Sequence, residues 1–400
     1  MNATMGADVL VVGAGAIGCS IAYQLARAGI DVLVVDRGDL ASGSSGACDG
    51  YVVTQTKHPG IHAELALKSV EAFEHLSDEL RWDVQYERVG GLIIIRGPGQ
   101  RAAMERHAAA LKESGIQVEM LDRRAVADRE PFLDGEYDGA TYCGLDGRVD
   151  PLNLTRGFAA AASRLGAGFS FYNSVASVVV RGDRVTGVVT SLGFIACRVL
   201  ILASGVWTAA LLEPLGLHVP IKPRRGIVLV TEPVPPLLNH VVLDARYIAV
   251  KFGMRSGDET CGAFEHYGVG LALEQTADGN ILIGNTREFV GFDRRVAVEP
   301  VSAVRSYALR VAPRLGGIGI IRSFAGLRPY TPDGLPLLGP VEGVEGLVLA
   351  AGHEGDGIAL SPITGRIVAD YVCSGMVSRE MRACLPGRFD IWKTGVESEK

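Results

Sequence analysis

The sequence lacks the features that would indicate a membrane-spanning or nucleic-acid-binding protein. It has no uninterrupted apolar stretch of the roughly 18 residues that a membrane span requires. Its 39 Lys and Arg are outnumbered by 45 Asp and Glu, so no excess of positive charge is present to attract nucleic acid. We therefore expect no transmembrane segment and no nucleic-acid partner. Peripheral contact with a membrane is the one kind of membrane association that the sequence leaves possible.

Cysteines are few, and they do not cluster. The seven lie at positions 19, 48, 143, 197, 261, 373 and 384, without a CxxC pair or a Cys/His group. This spacing argues against an iron–sulfur or zinc site, so no metal is predicted in this chain. Scattered thiols are typical of a reducing compartment, and we predict a cytoplasmic location.

The main feature that is present is a glycine-rich turn near the start of the chain. Residues 8–18 read DVLVVGAGAIG, and residues 31–36 read DVLVVD. This order predicts strand, tight turn, helix and strand, in which Gly13 permits the turn, Gly15 lets a pyrophosphate approach and Gly18 packs the helix on the sheet. Asp36 ends the second strand, where it can bind a ribose diol. The pattern predicts dinucleotide binding, with a purely structural β-α-β unit as the alternative.

Further small-residue segments follow at places where a sheet would meet a cofactor. Residues 42–50 (SGSSGACDG) offer hydroxyl and backbone N–H groups to phosphates, although such runs are more often plain loops. Residues 203–207 (ASGVW) follow another apolar strand, at a second edge that can meet the cofactor. Residues 352–357 (GHEGDG) are predicted to open a helix that carries Pro362 in its first turn.

Together with residues 326–329 (GLRP) and 333–334 (DG), these motifs resemble, in the same order, those of the D-amino acid oxidase superfamily. The resemblance runs from about residue 8 to about residue 385. It is nearest to glycine oxidases, sarcosine oxidases and the beta subunits of heteromeric opine and hydroxyproline dehydrogenases. It implies FAD and oxidation of a carbon–nitrogen bond by hydride transfer from Cα to flavin N5. Members with covalent flavin carry a cysteine at about the place of Arg328, so noncovalent FAD is implied.

The resemblance and the motifs together predict the residues that contact FAD. The helix opened by residues 352–357 would present N–H groups to the flavin, where negative charge develops on reduction. The predicted FAD-binding residues are Gly13, Gly15, Ala16, Ile17, Gly18, Asp36, Arg37, Ser42, Ser44, Ser45, Ala47, Val175, Ala203, Ser204, Gly205, Trp207, Arg328, Gly352, His353, Gly355, Gly357 and Ile358.

Two residues are predicted to act on the substrate. Arg328 is assigned to the substrate carboxylate, because a guanidinium offers a planar, bidentate fork; the alternative is an arginine paired with a structural acid. Tyr247 lies where the superfamily often places an aromatic hydroxyl beside the substrate, although a tyrosine that starts a half-buried strand often only packs. His353 is expected to shape its loop rather than to react.

The fold class predicted is α/β, with a Rossmann-like FAD-binding domain and a second α+β substrate domain on a mainly antiparallel sheet. Because 400 residues exceed one comfortable core, two domains are expected. The FAD-binding domain is assigned to residues 1–85, 147–218 and 323–385, the substrate domain to residues 86–146 and 219–322, and a tail to residues 386–400. Residues 247–252 are predicted to form a strand of the antiparallel sheet.

The electron acceptor is predicted from a residue that the chain does not have. Sarcosine oxidases place an oxygen-activating lysine in the strand that matches residues 280–284, where this chain has Leu282. A dehydrogenase is therefore expected, and the resemblance to opine dehydrogenase beta subunits implies partner subunits that carry iron–sulfur or a second flavin. An oxygen-using amine oxidase, an NAD-dependent dehydrogenase and a non-catalytic flavin-holding subunit are the alternatives. The late glycine-rich motifs argue against NAD, and Arg328 argues against a non-catalytic role.

Overall fold

The structure is a computed structural model that describes residues 5–251 and 262–391. Its α-helices are α1 (Ala16–Arg27), α2 (Ile61–Leu80), α3 (Gly97–Glu113), α4 (Arg123–Arg129), α5 (Pro151–Arg164), α6 (Thr208–Leu212), α7 (Ala245–Lys251), α8 (Ala263–His266), α9 (Val298–Val311), α10 (Ser361–Ser374) and α11 (Arg379–Ala383). None of the helices in the described part of the chain is both long and apolar enough to cross a bilayer.

The strands form two large sheets and one small one. They are β1 (Met5–Val12), β2 (Val32–Val35), β3 (Tyr51–Val52), β4 (Gly91–Ile95), β5 (Glu119–Asp122), β6 (Gly139–Cys143), β7 (Gly147–Arg148), β8 (Gly168–Ser170), β9 (Val175–Arg181), β10 (Arg184–Thr190), β11 (Gly193–Leu202), β12 (Lys222–Pro233), β13 (Val241–Asp244), β14 (Ala272–Gln275), β15 (Asn280–Gly284), β16 (Ile320–Tyr330), β17 (Leu337–Pro340) and β18 (Leu347–Ala351). The small sheet pairs β3 with β7.

The first large sheet has the order β17-β18-β11-β1-β2-β8, and the β9–β10 hairpin extends it from β11. Its centre, from β18 to β8, is parallel. Side chains of β1 alternate between two cores: Val9 and Val11 pack with helices α1, α2, α5 and α10, while Leu10 and Val12 pack on the opposite face. Burial on both faces explains why the short strands consist of apolar residues.

The second large sheet has the order β16-β12-β15-β14-β13-β4-β6-β5. All of its neighbouring pairs are antiparallel except β4 with β13. Helix α9 packs on it through a core that contains Val304 and Tyr307. The α/β class with a mainly antiparallel second sheet is therefore confirmed.

The starts of two helices follow the capping rules closely. Helix α5 begins at Pro151, and the Asp150 side chain accepts a hydrogen bond from the N–H of Asn153 at 2.6 Å. Helix α10 carries Pro362 in its first turn, as expected. It begins only at Ser361, however, so residues 352–357 lie in turns before the helix rather than at its start.

The predicted strand at residues 247–252 is wrong for the residues that the structure describes, since 245–251 form helix α7; Phe252 lies outside the described residues. The Asp244 side chain accepts the N–H of Tyr247 at 2.7 Å, which is the geometry of a helix N-cap. The cap outweighs the strand propensity of the Tyr-Ile-Ala-Val segment. The predicted domain bounds stay a prediction, and the bound at residue 323 falls inside β16.

Candidate active site

An elongated cavity runs between the two large sheets. One end is lined by the glycine turn after β1 and by Asp36 at the end of β2. The other end is lined by Arg328 on β16 and by Tyr247 on α7. The cavity thus joins the carboxyl edge of the parallel sheet to the antiparallel sheet, which is where α/β proteins place their ligands.

Most of the predicted FAD-binding residues line this cavity. Those that do are Gly13, Gly15, Ile17, Asp36, Arg37, Ser42, Ser44, Ser45, Ala47, Val175, Ala203, Ser204, Gly205, Trp207, Arg328, His353, Gly355, Gly357 and Ile358. Ala16, Gly18 and Gly352 are not part of the lining. Ala16 is 1% exposed and Gly18 packs against the carbonyl of Gly13, so both support the turn from behind.

The glycine turn leaves room that a side chain would fill. Gly13 has φ +113°, and a Cβ there would lie 2.5 Å from the carbonyl oxygen of Ala203. A Cβ on Gly15 would lie 2.9 Å from Ser45 Oγ, inside the cavity wall. Ser45 Oγ in turn accepts the N–H of Ala16 at 3.0 Å. A helix N-terminus beside hydroxyl groups and a bare backbone suits a pyrophosphate, so these residues fit a dinucleotide.

Asp36 stabilises the glycine turn and also lines the cavity. Its Oδ2 accepts the N–H of Ala14 at 2.7 Å, and its Oδ1 accepts the N–H of Gly38 at 2.8 Å. A carboxylate has further lone pairs, so these bonds are compatible with a ribose hydroxyl at the same group. Nearby, the guanidinium carbon of Arg37 lies 3.8 Å from the ring centre of Trp207, at the rim of the cavity.

Part of the segment of residues 353–358 also lines the cavity. His353 is 3% exposed, and its Nε2 lies 3.1 Å from Thr364 Oγ1 on α10. Burial lowers the pKa of His353 to about 3, so the ring is neutral. His353 therefore joins this segment to α10, which agrees with a role in shaping the loop. Gly355 and Gly357 leave backbone exposed toward the cavity.

Arg328 is set in place by strand pairing. It lies opposite Arg224 in the β12–β16 ladder, and a side chain at Gly226 would collide with its guanidinium. Arg328 Nη1 donates to the carbonyl oxygen of Thr286 at 3.0 Å. Among the described residues, no carboxylate lies within ion-pair distance of Arg328, whereas Arg224 forms a buried ion pair with Glu354. The arrangement supports a guanidinium held ready for an anion over one paired with a structural acid.

Tyr247 shares its end of the cavity with an arginine that the sequence analysis did not single out. The guanidinium carbon of Arg287 lies 4.0 Å from the centre of the Tyr247 ring. Arg287 is 7% exposed, and its Nε and Nη2 have no hydrogen-bond partner among the described residues. Burial raises the pKa of the Tyr247 hydroxyl, so it is a hydrogen-bond donor at neutral pH. A buried cation beside Arg328 adds to the positive potential at this end.

Asp49 and Tyr51 also line the cavity and were missed as site residues. Asn285 Nδ2 lies 3.5 Å from Asp49 Oδ2. Burial raises the pKa of Asp49, while Arg328 and Arg287 lower it. The available signal was the acid at the end of the 42–49 small-residue loop, which stands out among glycines, serines and alanines. This end of the cavity therefore offers one guanidinium group, a carboxyl group and two hydroxyl groups to a small polar molecule, and Arg287, in contact with Tyr247, adds a second positive charge nearby.

Comparisons with known proteins agree with this geometry. Residues 8–371 match the family described as FAD dependent oxidoreductase (DAO). The chain is 31% identical to hydrogen cyanide synthase subunit HcnC of Pseudomonas protegens, with 96% of each chain covered. It is 33% identical to glycine oxidase of Geobacillus kaustophilus, over 91% of this chain and 92% of the relative. It is 30% identical to the B subunit of opine oxidase from Agrobacterium tumefaciens, over 96% and 97%.

A solved structure shows the same architecture. The crystal structure of glycine oxidase from Geobacillus kaustophilus aligns with a TM-score of 0.81 and 30% identity. The alignment covers 92% of this chain and 95% of that one. The similarity therefore extends through both sheets and the cavity between them.

Proposed function

This chain belongs to the DAO family of FAD-dependent oxidoreductases, and we propose that it oxidises the carbon–nitrogen bond of an amino acid or an N-substituted amino acid, such as an opine, an imino acid or a D-amino acid. Its cofactor is FAD. The hydrolysis of the resulting imine would give an oxo acid and an amine. The relatives named as glycine oxidase and as part of opine oxidase support this choice of substrate class.

The observation that carries the proposal is the unpaired guanidinium of Arg328. In the described chain its hydrogen-bond partner is a backbone carbonyl, and it lies in the cavity wall beside Tyr247. A substrate carboxylate can accept two parallel hydrogen bonds from such a group. Tyr247 is assigned to support that carboxylate with its hydroxyl. Anchoring the carboxylate fixes the position of Cα, which is what an oxidation at Cα requires.

FAD is proposed to bind without a covalent bond. The glycine turn, Asp36 and the hydroxyl groups of residues 42–45 would hold the dinucleotide part, and the segment of residues 352–358 would lie at the flavin. Bound flavin supplies an acceptor for the hydride that leaves Cα. Arg328 stands at about the place where covalent members carry a cysteine, which supports a noncovalent cofactor.

We further propose that electrons pass to a partner subunit rather than to oxygen. Leu282 on β15 lines a second cavity and offers no positive charge that would stabilise superoxide. HcnC and the opine oxidase relative are both named as subunits, which supports a hetero-oligomer for this chain too. The partners would carry iron–sulfur or a second flavin. The scattered cysteines of the sequence support a cytoplasmic location for that complex.

The experiment is anaerobic mixing of the FAD-loaded chain with glycine, N-methylglycine, proline, both enantiomers of alanine and a panel of N-carboxyalkyl amino acids. Loss of the oxidised flavin absorption with one class names the substrate, and a chain that no amine or amino acid reduces contradicts the proposal. Reoxidation of the reduced chain is then timed with oxygen and with artificial dyes. Rapid, stoichiometric peroxide formation would make the chain an oxidase, and copurification from the source cell would identify the partners.

A further inference from the structure

Two cavities of the described chain share one wall. The first, which is the candidate active site, and a second cavity are both lined by residues of the 45–48 segment. Asp49 belongs to the lining of the first cavity, whereas Glu274 belongs to the lining of the second. Exposed side chains, among them Glu87, border the second cavity, so it communicates with solvent.

A pair of carboxyl groups lies at this wall. The backbone N–H of Gly50, the residue after Asp49, donates to Glu274 Oε1 at 2.9 Å. Glu274 is 3% exposed, and burial together with the charge of Asp49 raises its pKa to about 8. A carboxyl group with a pKa near neutrality can both take up and release a proton in the working pH range.

Two polar atoms beside the pair have no hydrogen-bond partner in the part of the chain that the structure describes. They are Glu274 Oε2 and the hydroxyl of Tyr51, and both are buried. Tyr51 begins β3 directly after Gly50 and lines the first cavity. Buried polar atoms are nearly always bonded, so an unsatisfied pair at a cavity wall marks a place that handles a ligand or a proton.

The other carboxyl and imidazole groups of the first cavity are already engaged. Both oxygens of Asp36 accept backbone N–H groups at the far end. His353 is neutral and bonded to α10. Glu354 forms the buried ion pair with Arg224. Asp49 accepts a longer hydrogen bond, of 3.5 Å, from Asn285 Nδ2. It is therefore the carboxyl group of the described lining with the weakest bond to the protein, and it can face a substrate amine near Arg328.

The charges around Asp49 and Glu274 determine in which direction a proton moves between them. The charged and titratable groups that act on it are Arg148, Asp150, Arg287, Arg328, Cys48, Tyr51 and Tyr247. Arg287 and Arg328 lie on the side of Asp49 and favour its anion. A proton that reaches Asp49 is consequently favoured to move on toward Glu274, away from the two cations.

We propose that Asp49 accepts a proton from the substrate amine and that Glu274 relays it to the second cavity. The proposal rests on the proposed function. Oxidation of a CH–NH₂⁺ group to C=NH⁺ removes two electrons and a hydrogen from carbon as hydride, which the flavin accepts, and one proton from nitrogen. The N–H bond breaks as an O–H bond forms on Asp49. Glu274, which is protonated at rest, releases its own proton to water in the second cavity; the proton on Asp49 then passes to Glu274, and Asp49 returns to its anion.

The first test is Asp49→Asn in the FAD-loaded chain. We expect kcat/KM at pH 7 to fall about 100-fold or more, the usual contribution of a general base. The loss should shrink as the pH approaches the pKa of the substrate amine, because a substrate that is already neutral needs no base. A residue with only a structural role would lower the rate equally at every pH.

The second test is Glu274→Gln, with Glu87→Gln as its control at the exposed side of the second cavity. We expect the inflection of kcat/KM near pH 8 to disappear in Glu274→Gln and to persist in Glu87→Gln. Infrared titration of the protonated carboxyl supplies a readout that does not need turnover. The absorption band of the protonated carboxyl group, which should titrate near pH 8 in wild type, should be absent from Glu274→Gln. In Asp49→Asn it should titrate at lower pH, since the charge of Asp49 helps to raise the pKa of Glu274.

The outcomes separate the relay from the proposed function. If a substrate reduces the flavin but Asp49→Asn keeps the native rate and pH profile, the relay is wrong and the function stands. If the infrared band is unchanged in Glu274→Gln, the buried protonated group is a different one and the relay is wrong. If no amine or amino acid reduces the wild-type chain, the proposed function fails and the relay fails with it. Flavin content and melting temperature of each variant identify one that has not folded.

Discussion

The two ends of the cavity differ in what carries their function. At the cofactor end, the turn of residues 13–18 exposes backbone, and Asp36 secures it by accepting N–H groups of residues 14 and 38. At the substrate end, the groups are side chains drawn from distant segments: Asp49, Tyr247 and Arg328. The backbone groups of the turn and their Asp36 partner lie within residues 13–38, whereas the side chains of the other end come from positions 49 to 328.

This difference determines what a mutation does at each end. A backbone site tolerates the loss of most single side chains, because the N–H groups and the helix N-terminus remain. A side-chain site lacks this redundancy. When one charged side chain is removed, the ligand group that it binds is left without a partner. We therefore expect the largest effects on catalysis at the substrate end and only moderate effects on cofactor affinity at the other.

The largest effect is predicted for Arg328→Ala. Removing one partner of a desolvated charge pair costs about 2–5 kcal/mol. The kcat/KM for an amino acid should therefore fall by the factor that corresponds to this free energy, while FAD stays bound. The measurement is steady-state kinetics together with the flavin spectrum. Arg225→Ala is the control, because Arg225 lies on the neighbouring strand β12 but is paired with Glu288 at 2.8 Å outside the cavity lining. A native rate in Arg328→Ala would reject the assignment.

A large effect on stability is predicted for Glu274→Gln. The pKa of Glu274 is raised from 4.5 to about 8 in the folded chain, so its contribution to stability is complete below pH 4.5 and is lost as the pH rises through 8. Gln has no such titration. Relative to wild type, the variant should gain roughly 2–4 kcal/mol in free energy of unfolding between pH 5 and pH 9.

Chemical unfolding at the two pH values measures this difference. Glu87→Gln is the control, since Glu87 is exposed at the same cavity, and the pH dependence of its unfolding should match that of wild type. Equal pH dependence in wild type and Glu274→Gln would mean that Glu274 is ionised normally. The wall between the two cavities would then contain an ordinary charged pair rather than a buried, protonated carboxyl group.

The contrast also explains how much could be predicted from the sequence. The glycine turn and the Asp150 cap are local, so residue order alone locates them. Tyr247 lines the cavity, but on helix α7 rather than on the strand that its segment predicts, because the Asp244 side chain caps the helix. Glu274 is an acid within the buried strand β14, and nothing near it in sequence relates it to Asp49, 225 positions away. Contacts that a sheet creates between distant segments carry no local signal.

A moderate effect is predicted for Asp36→Ala. Loss of a hydrogen bond to a charged group costs about 1–3 kcal/mol, so the Kd for FAD should rise by the factor that corresponds to this free energy. Part of the cost comes from the N–H groups of Ala14 and Gly38, which lose their acceptor. Titration of the apoprotein with FAD, followed by flavin fluorescence, gives the Kd. Asp31→Ala is the control, because Asp31 is exposed at the other end of β2. Equal affinity in both variants would remove Asp36 from the FAD site.

The smallest effect is predicted for Arg37→Ala at the rim of the cofactor end. The Arg37 guanidinium stacks on Trp207 at 3.8 Å but is exposed, and a cation–π contact of this kind contributes only about 0.5–1 kcal/mol. The Kd for FAD should therefore rise about fivefold or less in Arg37→Ala. In Arg37→Lys, which keeps the cation, the Kd should rise less still. A loss as large as that of Asp36→Ala would mean that the rim side chain itself binds the cofactor. The cofactor end would then depend on individual side chains as the substrate end does, and the contrast between a backbone site and a side-chain site would not hold.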